Sequence, residues 1–187
     1  MKRILAIVMV MLFSQGWILA QSTLVSSVVG CEFSDNGMSV RTKLHAKFGV
    51  KPTKDLGNEV VYSKVEIGGV HYDYAHFYFR SSQQVGKSEF ASAVLKKQFL
   101  ATDRAKAIAY YRSLQTQYRR KYANFEALDY DNTYISQCGE NPDGMTGDEY
   151  PIRIALEDDI AHVGEKYIYV TVTYYPSVLE SIRDQEI

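Results

Sequence analysis

The sequence predicts an α+β domain in which an antiparallel sheet is covered by helices. Three observations carry that expectation. Residues 60–80 alternate in polarity on both sides of Gly68-Gly69, as a β-hairpin does. A second alternating pair, 152–157 and 167–175, flanks the acidic turn Glu157-Asp158-Asp159. Between and before them lie two stretches with helical spacing and helix-end residues, 35–48 and 103–124.

At the start of the chain, Lys2 and Arg3 precede an uncharged apolar run from Ile4 to Ala20, the layout of a secretory signal peptide cleaved after Ala20. Ser14, Gln15 and Gly16 interrupt the run, which makes it a poor membrane anchor. The expected mature protein is one α+β domain, 21–187, exported to the periplasm or the extracellular space. Cleavage removes two basic residues and no acid, leaving 19 Lys and Arg against 22 Asp and Glu, a formal charge of -3. That balance implies neither a nucleic-acid partner nor a polyanion in general.

Residues 24–33 read as a short first strand, apolar at Leu24, Val25, Val28, Val29 and Phe33. The stretch 34–49 fits two periods. As a strand, Val40, Thr42, Leu44, Ala46 and Phe48 oppose Arg41, Lys43, His45 and Lys47. As a helix, Val40, Leu44 and Phe48 form one stripe, with Ser34 or Asp35 as N-cap, Gly49 beyond the last turn and Pro52 after it. Only the helix explains both ends, so a helix is expected. A polar linker, 51–59, follows.

In the central hairpin, Val70, Tyr72, Tyr74, His76 and Tyr78 alternate with His71, Asp73, Ala75, Phe77 and Phe79. Bulky groups on both faces mark an interior strand. The Phe77 and Phe79 face is expected against a helix, and the tyrosine face is where a ligand would sit. A third strand is expected at 90–101. The helix 103–124 is capped by Thr102 or Asp103, carries Ala105, Ile108, Ala109, Leu114, Tyr118 and Tyr122 inward, and ends in Arg119, Arg120 and Lys121 at the negative end of its dipole. A strand at 130–138, a turn-rich loop and the second hairpin complete the sheet, and the residues after Pro176 are expected to fray.

The two cysteines, Cys31 and Cys138, are expected to form a disulfide in an exported chain. The alternative is a lipoprotein, with Val28-Val29-Gly30-Cys31 as the cleavage box and an acylated Cys31 anchoring the protein in the outer membrane. Against it, Gln21, Ser22, Ser26 and Ser27 separate Cys31 from the apolar run.

From Val29 to Phe99 the chain carries GCEFSDNGMSVRTKLHAKFG, then VVYSKVEIGGVHYDYAHFYF, then an apolar strand. This resembles short exported proteins of unassigned function from anaerobic Gram-negative bacteria, in which a strand-helix unit ending in Lys-Phe-Gly, here Lys47-Phe48-Gly49, precedes a meander with a Gly-Gly turn. More distantly it is similar to outer-membrane assembly lipoproteins of the SmpA/OmlA type, whose small α+β domains act by protein contact. The resemblance implies a helix at 35–48 and a role in binding or envelope assembly. Without acylation of Cys31 the comparison loses its membrane anchor.

Reacting groups are scarce. There is no phosphate-cradling glycine loop, no Gly-x-Ser-x-Gly, no His-Glu-x-x-His and no Cys-x-x-Cys. His71 and Asp73 share one strand face and could begin a metal or catalytic site if His45 or His162 joined them; polar residues on a wet face are the simpler reading. Cys31 as a nucleophile would need a free surface thiol. Asn141–Glu149 lacks the spacing of a calcium loop. The basic stretch Lys96–Lys121 reads as a solvated helix face. No cofactor is expected. The leading expectation is a non-enzymatic binding or envelope-assembly module. A glycan- or peptide-binding protein using Tyr72, Tyr74 and Tyr78 comes second, since aromatic rings on an exposed face stack on sugars. An enzyme centred on His71 and Asp73 comes third.

Overall fold

The computed structural model describes residues 25–81, 87–122, 124–139, 150–159 and 166–175. The expected signal peptide at 1–20, the loop 141–149, His162 and the segment after Pro176 lie outside the described residues.

The described residues open with a small hairpin rather than one strand. β1 (Ser27–Val28) pairs with β2 (Cys31–Glu32) across Val29-Gly30, both at positive φ. α1 (Gly37–Phe48) follows, so the helical reading of this segment holds. Its N-cap is Asn36, whose side chain accepts the Met38 N–H at 3.0 Å, one residue beyond the expected Ser34 or Asp35. Gly49 closes the helix in the left-handed conformation, φ 65°, and its N–H returns to the His45 carbonyl.

The expected linker contains an edge strand, β3 (Lys54–Leu56). The central hairpin is β4 (Glu59–Ile67) and β5 (Val70–Ser81), joined by Gly68 and Gly69 at φ 62° and 78°. A primed two-residue turn needs two positive φ values, and two glycines supply them without strain. β6 (Ser88–Leu100) leads through one 3₁₀ turn, Ala101–Asp103, into α2 (Arg104–Lys121). Asp103 is the N-cap residue of α2, one of the two expected, and its side chain makes no capping hydrogen bond. Then come β7 (Glu126–Ala127), β8 (Tyr134–Cys138), β9 (Ile152–Asp158) and β10 (Tyr167–Tyr174). The main sheet has eight antiparallel strands in the order β3-β4-β5-β6-β10-β9-β8-β7.

Both helices lie on one face. Ala93 pairs with Phe77 on one side and Tyr174 on the other, so these three share a face. Phe48 of α1 meets Phe77 with ring centroids 6.1 Å apart, and Tyr118 of α2 meets Tyr174 at 6.4 Å. The inward residues of α2 are Ala107, Tyr111, Leu114 and Tyr118; Ala105 and Ala109 point to solvent, contrary to the sequence reading. Phe77 and Phe79 are core residues as expected. Opposite them the β5–β6 register shifts between Tyr78 and Phe79, and the extra β6 residue, Ala91, turns Phe90 inward to pack on Phe33, Phe77 and Phe79.

Tyr72 departs from expectation: it is 2% exposed and lies on the helix face near Tyr118 and Tyr174. The period-two pattern breaks between Tyr72 and Ala75, both of which are buried. On β4 the same break separates Tyr62 from Val65 and coincides with Lys64 at φ 55°. On β5 it coincides with Asp73, beyond which no β5 residue pairs with β6. A left-handed residue in a strand turns the following side chains over, so the two strands change phase together.

The expected disulfide is not formed. Cys31 and Cys138 are both free and buried. Cys31 lies in the small hairpin, within the field of the Lys43 ammonium of α1, and Cys138 ends β8, within the field of Lys121 at the end of α2. Burial raises both thiols, Cys138 to about 12.

Candidate functional site: the open face of the sheet

Side chains alternate across a sheet, so the face away from the helices is assigned by the ladder. One row crosses it as Ile135, Ala155, Thr171, Lys96, Tyr74 and Ser63. The next runs Arg153, Thr173, Val94, His76 and Val61. No described helix covers this face, yet Thr171 is 2% exposed and Ala155 is fully buried. Thr171 and Ala155 are short beside Arg153, Lys96 and Tyr74, which makes a trough with a Thr and Ala floor.

Along β5 the trough wall is a ladder of rings. Tyr74 and His76 have centroids 6.4 Å apart, and His76 and Tyr78 stack at 6.1 Å with a 15° interplanar angle. All three are half-buried, unlike Tyr72. Two of the three tyrosines expected on this face are therefore there, and the third is core.

His76 is the most organised group. Its Nδ1 lies 2.9 Å from Oε1 of Glu59, whose Oε2 is 2.7 Å from Nζ of Lys54. Lys54 and then His76 hold the Glu59 carboxyl down to about 2, so it is ionised and only accepts. Burial lowers His76 and outweighs the opposing pull of Glu59, so the imidazole is neutral at neutral pH. A neutral ring facing an acceptor must donate from Nδ1, which leaves the lone pair on Nε2. Tyr78, raised by burial and by Glu59, sets its hydroxyl 3.5 Å from the same Nδ1.

Lys96 stands in the middle of the trough with its Nζ 5.8 Å over the Tyr169 ring. Tyr169, raised by burial, is held at its hydroxyl by Asp159. Arg153 and Glu157 pair at 2.9 Å along β9.

The other sequence candidates are dispersed. His71 is exposed, 3.5 Å from Glu66. Asp73 accepts the Gln98 N–H at 2.8 Å and pairs with Lys97 at 3.2 Å, a structural task. Among the described residues no three His, Cys, Asp or Glu groups converge as a metal site. The buried thiol of Cys31 does not suit a surface nucleophile. Among those residues, too, no helix is long and apolar enough to cross a membrane.

Sequence reading missed Glu59, Lys96 and Tyr169 as parts of one surface. Glu59 and His76 were within reach: a two-residue turn at 68–69 pairs Val61 with His76 and Glu59 with Tyr78, putting the carboxylate diagonal to the imidazole. Lys96 and Tyr169 required the order of β5, β6 and β10, which the sequence does not state. The chain matches no family model, no curated protein and no solved structure. Geometry alone carries the functional argument.

Proposed function

We propose that this is an exported binding module that takes its ligand in the trough of the open sheet face, with Tyr74, His76 and Tyr78 as the contact ladder. The observation that carries the reading is the half-exposed aromatic row on a face that no described helix covers, beside Tyr72, Phe77 and Phe79 fully absorbed in the core. Tyrosine offers a flat apolar surface and a hydroxyl at little entropic cost, which suits the faces and hydroxyls of sugar rings. The neutral imidazole adds an acceptor fixed in direction by Glu59. Strand addition of a peptide is less favoured, because the sheet ends in strands of three and two residues, β3 and β7.

Export rests on the leader pattern at 1–20. A soluble exported form is favoured over the acylated one, because cleavage before Cys31 would remove the core residues Val25 and Val28 and would require a fully buried thiol to leave its site. The envelope-assembly role implied by the resemblance over 29–99 would use the same face toward a protein.

A glycan array probed with the mature protein and with Tyr74→Ala tests the proposal. Binding to a defined set of glycans, lost in the variant at unchanged melting temperature, is the expected result. Equal binding by the variant would exclude the ladder as the site.

A further inference from the structure

Cationic side chains of the open face include Lys54, Arg80, Arg153 and Lys96. Lys54 pairs with Glu59 at 2.7 Å, Arg80 with Glu89 at 3.7 Å and Arg153 with Glu157 at 2.9 Å. Lys96 forms no ion pair among the described residues, although it stands in the centre, between Tyr74 and Thr171 in the ladder and under the reach of Tyr169. Lys96 is half-buried as a residue and its neighbours Thr171 and Ala155 are buried, so a ligand seated there would meet the ammonium in a site partly screened from water.

We propose that Lys96 selects the ligand by charge, and that the ligand is an acidic saccharide whose uronate carboxylate meets Lys96 while its rings lie on Tyr74 and Tyr78. The inference rests on the binding function proposed above and adds the chemical class. Two observations favour a saccharide over other anions. The tyrosine hydroxyls and the His76 Nε2 acceptor match a ligand that both donates and accepts at many hydroxyls. A polyphosphate chain would need several free cations, and Lys54, Arg80 and Arg153 are already paired with carboxylates.

The experiment is calorimetric titration of three probes, an oligogalacturonate, cellohexaose and an oligoglutamate, into the mature protein and into Lys96→Met and Tyr74→Ala. The acidic sugar should bind about tenfold more tightly than the neutral one, the gain of one partly shielded ion pair. Lys96→Met should erase that preference, and Tyr74→Ala should weaken both sugars. Added salt should weaken oligogalacturonate and spare cellohexaose in the unmodified protein, a readout independent of how the variants fold. Equal affinity for the two sugars, or a preference insensitive to salt, overturns the role of Lys96 while the aromatic-face function stands. Absence of binding by either sugar overturns both. Tighter binding of oligoglutamate than of either sugar overturns the saccharide in favour of an acidic peptide.

Discussion

Asp73 accepts the backbone N–H of Gln98 at 2.8 Å, at the point where the β5–β6 ladder ends. A side-chain carboxylate there takes the place of a strand carbonyl, and its other oxygen is 3.3 Å from the Lys97 ammonium. On one side of this contact Tyr72 faces the helices; on the other Tyr74 faces the trough. The boundary between core and candidate site therefore runs through a single residue of β5.

Removing that contact should loosen the far end of the hairpin. Asp73→Ala leaves the Gln98 N–H without its acceptor and should cost about 1 to 3 kcal/mol. Asp73→Asn keeps an acceptor and should cost less. Amide exchange at Gln98 checks this: faster exchange in the alanine variant is expected, and unchanged protection would assign the phase break to β4 alone.

Lys64 carries the matching distortion on β4 at φ 55°, a conformation that costs a side-chain-bearing residue about 1 to 2 kcal/mol. Lys64→Gly should relieve the strain and stabilise the fold by up to about 1 kcal/mol, net of the chain entropy glycine adds to the unfolded state. Lys64→Val should destabilise it, because a β-branched residue tolerates positive φ least. Urea midpoints of the two variants should move in opposite directions.

Tyr72 and Tyr74 should behave differently on truncation. Tyr72→Ala opens a cavity beside Tyr118 and Tyr174 and should cost about 3 to 5 kcal/mol, as should Phe77→Ala. Tyr74→Ala, on the open face, should cost under about 1 kcal/mol. Thermal unfolding separates them, and a large loss at Tyr74 would mean that the open face is packed.

Acid should weaken the protein through His76 and Glu59 with the same sign. His76 titrates below its ordinary value of about 6.5, so as pH falls past that value the unfolded chain gains a proton that the folded chain resists. Glu59 is held near 2 against an ordinary value of about 4.3, so its contribution is present above that value and is lost as pH falls toward 2. NMR titration of the His76 ring should give a midpoint below 6.5. Glu59→Gln removes the group that raises it and should move the midpoint lower still; a rise would refute the pairing.

Both thiols should resist labelling in the native protein and react fully after unfolding without reductant. An unfolded chain that takes no label at either position would restore the disulfide. Burial is the cause, since it removes access and disfavours the thiolate at each site.

Local chemistry was legible in the residues themselves. Gly49 ends α1 because it enters the left-handed region freely, Gly68-Gly69 sets the register of the hairpin, and Phe77 and Phe79 mark the buried face. The sheet's class and both helices follow from those periods, and so does the alignment that brings Glu59 to His76. What only the tertiary structure decided depends on distant partners. Period two extrapolates along a strand only while every residue stays extended, and Lys64 does not. The N–H donor that holds Asp73 in line is 25 residues away, and the side on which Tyr72 lies follows from that contact. Likewise both thiols end up buried and unbonded in the core, and Lys96 meets Tyr169 because β10 enters the sheet beside β6. These are non-local choices, set by which surfaces fit together, and no window of sequence contains them.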